Sequence, residues 1–137
     1  MKNTNSHILE KLGYVLVLLM ALIQLFYAIY AYVDPVGFSI LRGTPLLEGD
    51  RSDWVIIYAS RTLFVSFIIG LLLYLRSYKI LVWAALFGMI MPITDAILAY
   101  QDMAPNKVII KHVVTSVYLL VTAFILYLVV RRKQSNI

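Results

Sequence analysis

Four apolar runs, at about residues 12–33, 54–75, 80–100 and 108–130, set the terms on which this chain can fold. Each matches the roughly 20 helical residues that cross a bilayer core. Backbone in hydrocarbon must satisfy its own hydrogen bonds, so only helices or a closed barrel can span. The period-two alternation of barrel strands is absent, which leaves helices. The expected fold is all-α: an integral-membrane four-helix bundle, one domain over residues 1–137. Composition agrees. Hydrophobic residues make up 62 % and charged residues 14 %, whereas soluble domains lie nearer half apolar and a quarter charged. Mean hydropathy is +0.87.

The connections are unequal. "RSYK", residues 76–79, is a tight turn, and "QDMAPNK", residues 101–107, is short, with Asn106 placed to cap the fourth helix. Only the stretch from Asp34 to Asp53 is long. Within it "DPVGFSILRG" has Asp34 as N-cap, Pro35 at the first helical position and Gly43 as a stop. A short interfacial helix after the first span is therefore expected, with Ser52 or Asp53 capping the second span.

Charge sets the direction. Lys2, Lys11, Arg76, Lys79, Arg131, Arg132 and Lys133 flank one side of the spans. On the other side Arg42, Arg51, Lys107 and Lys111 are offset by Asp34, Glu48, Asp50, Asp53 and Asp102. The excess of lysine and arginine places both termini in the cytoplasm, in a multi-pass inner-membrane protein. The first run is too long for a signal h-region and no small-x-small site follows it, so it reads as a retained helix.

The net charge of +5 does not point to nucleic acid, because the cations sit beside the apolar runs. With no cysteine, thiol redox chemistry and thiolate metal sites are excluded. One intramembrane histidine and one aspartate are too few for a protein-only zinc site, and no Gly-rich phosphate loop or nucleophile elbow is present. Neither a metal nor a cofactor is expected.

"GMIMPITDAILAY", residues 88–100, puts a proline and an aspartate inside the third run. Pro92 cannot donate to the Gly88 carbonyl, so a bend is expected between those residues. Asp95 needs a partner, since a lone charge at that depth costs at least ~2.5 kcal/mol. At 1.5 Å per residue, Arg61, Asp95 and His112 lie about 10, 8 and 6 Å from the same end of their helices. The expectation is that Asp95 faces Arg61. Polar stripes at helical spacing add Gln24 and Tyr27 on the first span, Tyr58 and Thr62 on the second, and Thr115 and Ser116 on the fourth. Turned inward, they would line an outward-opening polar pocket in a shell of Leu, Ile, Val and Phe.

"DPVGF", "YASRTLFVSFIIGLLL", "PITDAILAY" and "KHVVTSVYLL" together resemble a group of small four-helix bacterial membrane proteins, a domain of unknown function related to the DoxX-like proteins. The likeness spans about residues 25–125 and rests on Arg61, Pro92, Asp95, His112 and Thr115. It implies the bundle and a shared polar site but no activity. A more distant likeness is to four-helix sterol-isomerase membrane proteins, whose intramembrane glutamates are missing here.

Three functional expectations stand. The leading one is a module that binds a lipophilic small molecule with one polar end, through Arg61, Asp95, His112, Thr115, Tyr58, Gln24 and Tyr27. A second is a membrane-embedded isomerase or cyclase, with His112 or Asp95 as acid–base and Arg61 as electrophile. The third is a small subunit that packs in lipid against a membrane partner or another copy of itself, with the Arg61–Asp95 pair as architecture alone.

Overall fold

The computed structural model describes residues 2–46 and 52–134. They form α1 (Lys2–Val33), α2 (Pro35–Arg42), α3 (Asp53–Tyr74), α4 (Tyr78–Gly88), α5 (Ile90–Gln101) and α6 (Asn106–Gln134), with no strand among the described residues. Four spans are long and apolar enough to cross a membrane: His7–Val33, Asp53–Tyr74, Tyr78–Gln101 and Asn106–Gln134. The protein is thus an all-α, multi-pass membrane bundle. Phe26, Phe64, Phe87 and Phe124 are each at least 60 % exposed on its outside, a surface that only lipid suits. Glu48, Asp50 and Arg51 of the long connection lie outside the described residues.

The helix ends follow from local chemistry. Asp34 caps α2, its Oδ1 accepting from Gly37 N at 2.8 Å, and Pro35 opens the helix. Ser52, not Asp53, holds the N-cap position of α3, without a side-chain hydrogen bond. Asn106 is the first residue of α6 rather than its cap. Three helices close with the same pair of reversed hydrogen bonds. In α2 these are Thr44 N to Ser39 O (3.2 Å) and Gly43 N to Ile40 O (3.0 Å); after α3, Ser77 N to Leu72 O and Arg76 N to Leu73 O; after α5, Ala104 N to Ala99 O and Met103 N to Tyr100 O. The residue that takes positive φ is Gly43 (84°), Arg76 (51°) and Met103 (53°) in turn.

The third span is interrupted at Met89, inside the interval that the missing Pro92 donor marks. Met89 N turns back to Leu86 O at 3.3 Å, and the α-helical ladder resumes with Ile93 N to Met89 O at 3.2 Å. Two shorter helices result in place of one.

Packing divides the bundle into two pairs. α1 lies along α3, and α4 with α5 lies along α6; α1 and α6 join the pairs. The α1–α3 seam uses small residues at steps of three, four or seven: Ala21, Ala28 and Ala31 against Ala59, Thr62 and Ser66, all buried. Such spacing keeps one stripe facing its partner, and small residues let membrane helices approach closely. Ser66 Oγ donates to Ala21 O at 2.9 Å across it. No comparable seam joins α3 to α5. One core, around Val17, Leu73, Leu81 and Leu126, closes the bundle towards the termini. A second, around Ala31, Phe38, Val55 and Ala59, closes the α2 end. A cleft separates them.

Candidate functional site

α2 crosses the open end of that cleft and is tied to both helix pairs. On the α1–α3 side Phe38, 1 % exposed, sits among Tyr58, Tyr30 and Tyr27, with ring centroids 5.1, 6.0 and 6.2 Å away. One helical turn later, on the same face, Arg42 reaches the α5–α6 side. Its guanidinium pairs with the Asp95 carboxylate, and its Cζ stands 4.1 Å from the centre of the Tyr58 ring. Two α6 side chains complete the tie: Lys111 Nζ donates to Leu41 O at 2.6 Å, and His112 Nε2 lies 3.3 Å from Arg42 O. That contact needs the proton on Nε2, because a carbonyl oxygen can only accept. The other ring nitrogen, Nδ1, stands 3.7 Å from Asp95 Oδ2.

The aspartate's partner is therefore Arg42 and not Arg61. α3 turns the stripe Val55, Ala59, Thr62, Ser66, Ile69 and Leu73 inward. Arg61 is rotated by about 100° from Thr62 and is exposed. The small-residue seam to α1 fixes that rotation, because only those positions let the two backbones approach. From its depth Arg61 can bring its charge to the membrane surface along its own aliphatic stem. The pocket residues that the sequence grouped with it do converge. Gln24, Tyr27, Tyr58, Asp95, His112 and Thr115 line one small cavity of about 50 Å³ under α2, with Arg42 and Lys111. Thr115 itself is exposed and donates to Lys111 O at 2.9 Å.

Below this polar crown lies a much larger space. A cleft of about 700 Å³ runs between α3 and the α4–α5 break, floored by α1 and α6. Val65, Ile68, Ile69, Ala84 and Leu119 make its walls, and Gly88 and Pro92 at the break widen it. Gln24, Tyr27, Met91, Pro92 and Thr115 line both the small cavity and the cleft, so the two adjoin. Phe64, Phe87 and Ile90 line the cleft and are each 65 % exposed, which marks a mouth on the lipid-facing surface. On the far side of the Arg42–Asp95 pair a third space, about 370 Å³, is bordered by Thr44, Trp54, Tyr58 and Asp102. Arg42, Tyr58 and Asp95 border it and the small cavity alike, and so form the partition between them.

The pair is largely desolvated, with Arg42 14 % and Asp95 16 % exposed in their side chains. Each charge depends on the other, since an unpaired charge in such a site is costly. No three His, Cys, Asp or Glu residues come together to hold a metal ion among the described residues.

Fold and site together define a four-span membrane protein with a charged crown over an apolar, laterally open cleft. Residues 21–126, which include every cleft-lining residue but Met20, match the family model described as Domain of unknown function (DUF4267), and the chain belongs to that family. No curated protein and no solved structure matches the chain.

Proposed function

We propose that this protein binds a lipophilic small molecule with one polar end, drawn from the bilayer into the cleft between α3 and α5. The observation that carries the reading is an apolar space of about 700 Å³ that directly adjoins a polar crown. Ligand sites for small molecules span about 300–1,000 Å³ and combine apolar walls with a few convergent polar groups. The apolar body occupies the walls of Val65, Ile68 and Leu119, and the polar end reaches Gln24, Tyr27, His112 and Thr115. Arg42, in place of Arg61, is the partner of Asp95, and the pair holds α2 over the crown. Arg61 stays outside the site. The crown faces outward and both termini are cytoplasmic in this reading, on the lysine and arginine distribution of the flanks. The kinship with DoxX-like proteins rests on the sequence motifs alone.

The test uses a plug. A Cβ added at Gly88 meets nothing nearer than Leu119 Cδ1 at 3.9 Å, so Gly88→Leu extends into open cleft. Native mass spectrometry of protein purified in neutral detergent should show a retained lipophilic mass in the wild type and none in Gly88→Leu. Equal retention in both would place the bound molecule elsewhere and refute the reading.

A further inference from the structure

The charge balance of the crown narrows the ligand. Arg42 and Asp95 neutralise one another. Lys111 adds a second cation on the same small cavity, and no second carboxylate lines it. Among the described residues the crown thus carries one positive charge in excess before any contribution from His112. The one hydrogen bond of Lys111 Nζ, to Leu41 O, leaves two ammonium hydrogens for another acceptor. Beside it stand the Thr115 hydroxyl oxygen, which can still accept or be turned to donate, and the His112 ring. A half-buried cation on a pocket whose one carboxylate is already paired with Arg42 is a site for an anion.

Size restricts that anion. The polar cavity, at about 50 Å³, is far smaller than the cleft of about 700 Å³. A compact carboxylate suits it better than a bulky glycerophosphate head group. The remainder of the molecule must be apolar, because the cleft walls below Thr115 are. Along α4 and α5 from Ala84 to Pro92 the cleft is roughly 12 Å deep, and its lateral mouth at Phe64, Phe87 and Ile90 lets a longer chain continue into lipid.

Resting on the binding function proposed above, we infer that the ligand is an amphiphilic monocarboxylate of the long-chain fatty acid class, its carboxylate held by Lys111 with the Thr115 hydroxyl turned to donate, beside the His112 ring. Lys111 supplies the charge, while Arg42 stays with Asp95 and shapes the chamber from above. The anion comes from the bilayer through the α3–α5 mouth and does not have to pass the Arg42–Asp95–Tyr58 partition.

The full chain in neutral-lipid nanodiscs is titrated with palmitate, hexadecanol, hexadecyltrimethylammonium and phosphatidylglycerol, each isotopically labelled. Palmitate should bind roughly ten-fold or more tightly than hexadecanol, in line with a charge-assisted contact; the ammonium amphiphile and phosphatidylglycerol should bind more weakly than palmitate. Lys111→Met should remove the preference for palmitate over hexadecanol, and Lys111→Arg should keep most of it. If Lys111→Met does not fold, the wild-type order of the four probes and Lys111→Arg still decide. Equal binding of palmitate and hexadecanol would overturn the carboxylate assignment and leave the lipophilic site standing. Tighter binding of phosphatidylglycerol would overturn it in favour of a lipid head group. No binding of any probe, with Gly88→Leu indistinguishable from wild type by native mass spectrometry, would refute the binding function itself.

Discussion

Replacing Arg42 or Asp95 singly should destabilise the bundle far more than replacing both. In either single variant a charge that is about 85 % buried, on side-chain exposures of 14 % and 16 %, loses its counter-ion. Removing one partner of a buried pair costs about 3–5 kcal/mol. For Arg42→Met that whole range applies, ~3–5 kcal/mol, because His112 Nδ1, 3.7 Å from Asp95, carries charge only when the ring is protonated. The contact of the guanidinium with the Tyr58 face adds ~1 kcal/mol to that loss. Asp95→Leu leaves Arg42 between Tyr58 and Lys111, two cations without an anion, and should cost no less. In the double variant Arg42→Met/Asp95→Leu neither charge remains, and stability should recover to within about 1–2 kcal/mol of wild type. The coupling energy of the cycle is then at least ~5 kcal/mol. Arg61→Met is the control: exposed and outside the site, it should change stability by no more than ~0.5 kcal/mol. Reversible unfolding in mixed mild and denaturing detergent, followed by far-ultraviolet circular dichroism, measures all four. Additive single effects, or an Arg61→Met loss as large as that of Arg42→Met, would refute the pairing.

Further expectations concern the backbone and the topology. Gly43→Ala should cost ~2–3 kcal/mol, because its Cβ would fall 2.7 Å from Val108 Cγ1 and such overpacking is added to the strain of positive φ; thermal unfolding measures it, and a neutral result would show that α2 does not seat on α6. Gly88→Leu should leave stability unchanged or raise it by about 0.5–1 kcal/mol through helix propensity, so any loss of ligand in that variant is not a loss of fold; a lower melting temperature would contradict this. Phosphatase and fluorescent-protein reporters fused at Glu48 and Arg132 should report outside and inside respectively, and the reverse pattern would invert the orientation.

The spans and the α2 cap were legible because hydrocarbon thickness and cap chemistry are local properties, written in consecutive residues such as "DPVG". The break in the third span was legible for the same reason: one missing proline donor defines the interval. The partner of Asp95 was not. Depth along the helices is shared by Arg61, Asp95 and His112, but rotation about each axis decides which residues meet. On α3 that rotation is set by Ala59, Thr62 and Ser66, whose alternating four- and three-residue steps carry more packing information than the polar stripe through Tyr58 and Arg61. Arg42 was counted only among the flanking charges, at the end of the expected interfacial helix. Its spacing of four from Phe38 within "DPVGFSILRG" was the available signal: an apolar anchor and a cation on one face of a helix are poised to enter the bundle together. The apolar cleft was the least legible feature, because it arises from a seam that α3 and α5 do not make, and a missing contact leaves no pattern in either helix.

The occupant of the cleft is most directly visible in an electron-density map of the full chain, purified without delipidation and solved in a neutral amphiphile. The expected result is elongated density between α3 and α5, ending beside Lys111, His112 and Thr115, with α2 seated above it through Arg42 and Asp95. A cleft closed by direct packing of α3 on α5, with no density and Arg61 turned inward to Asp95, would contradict it.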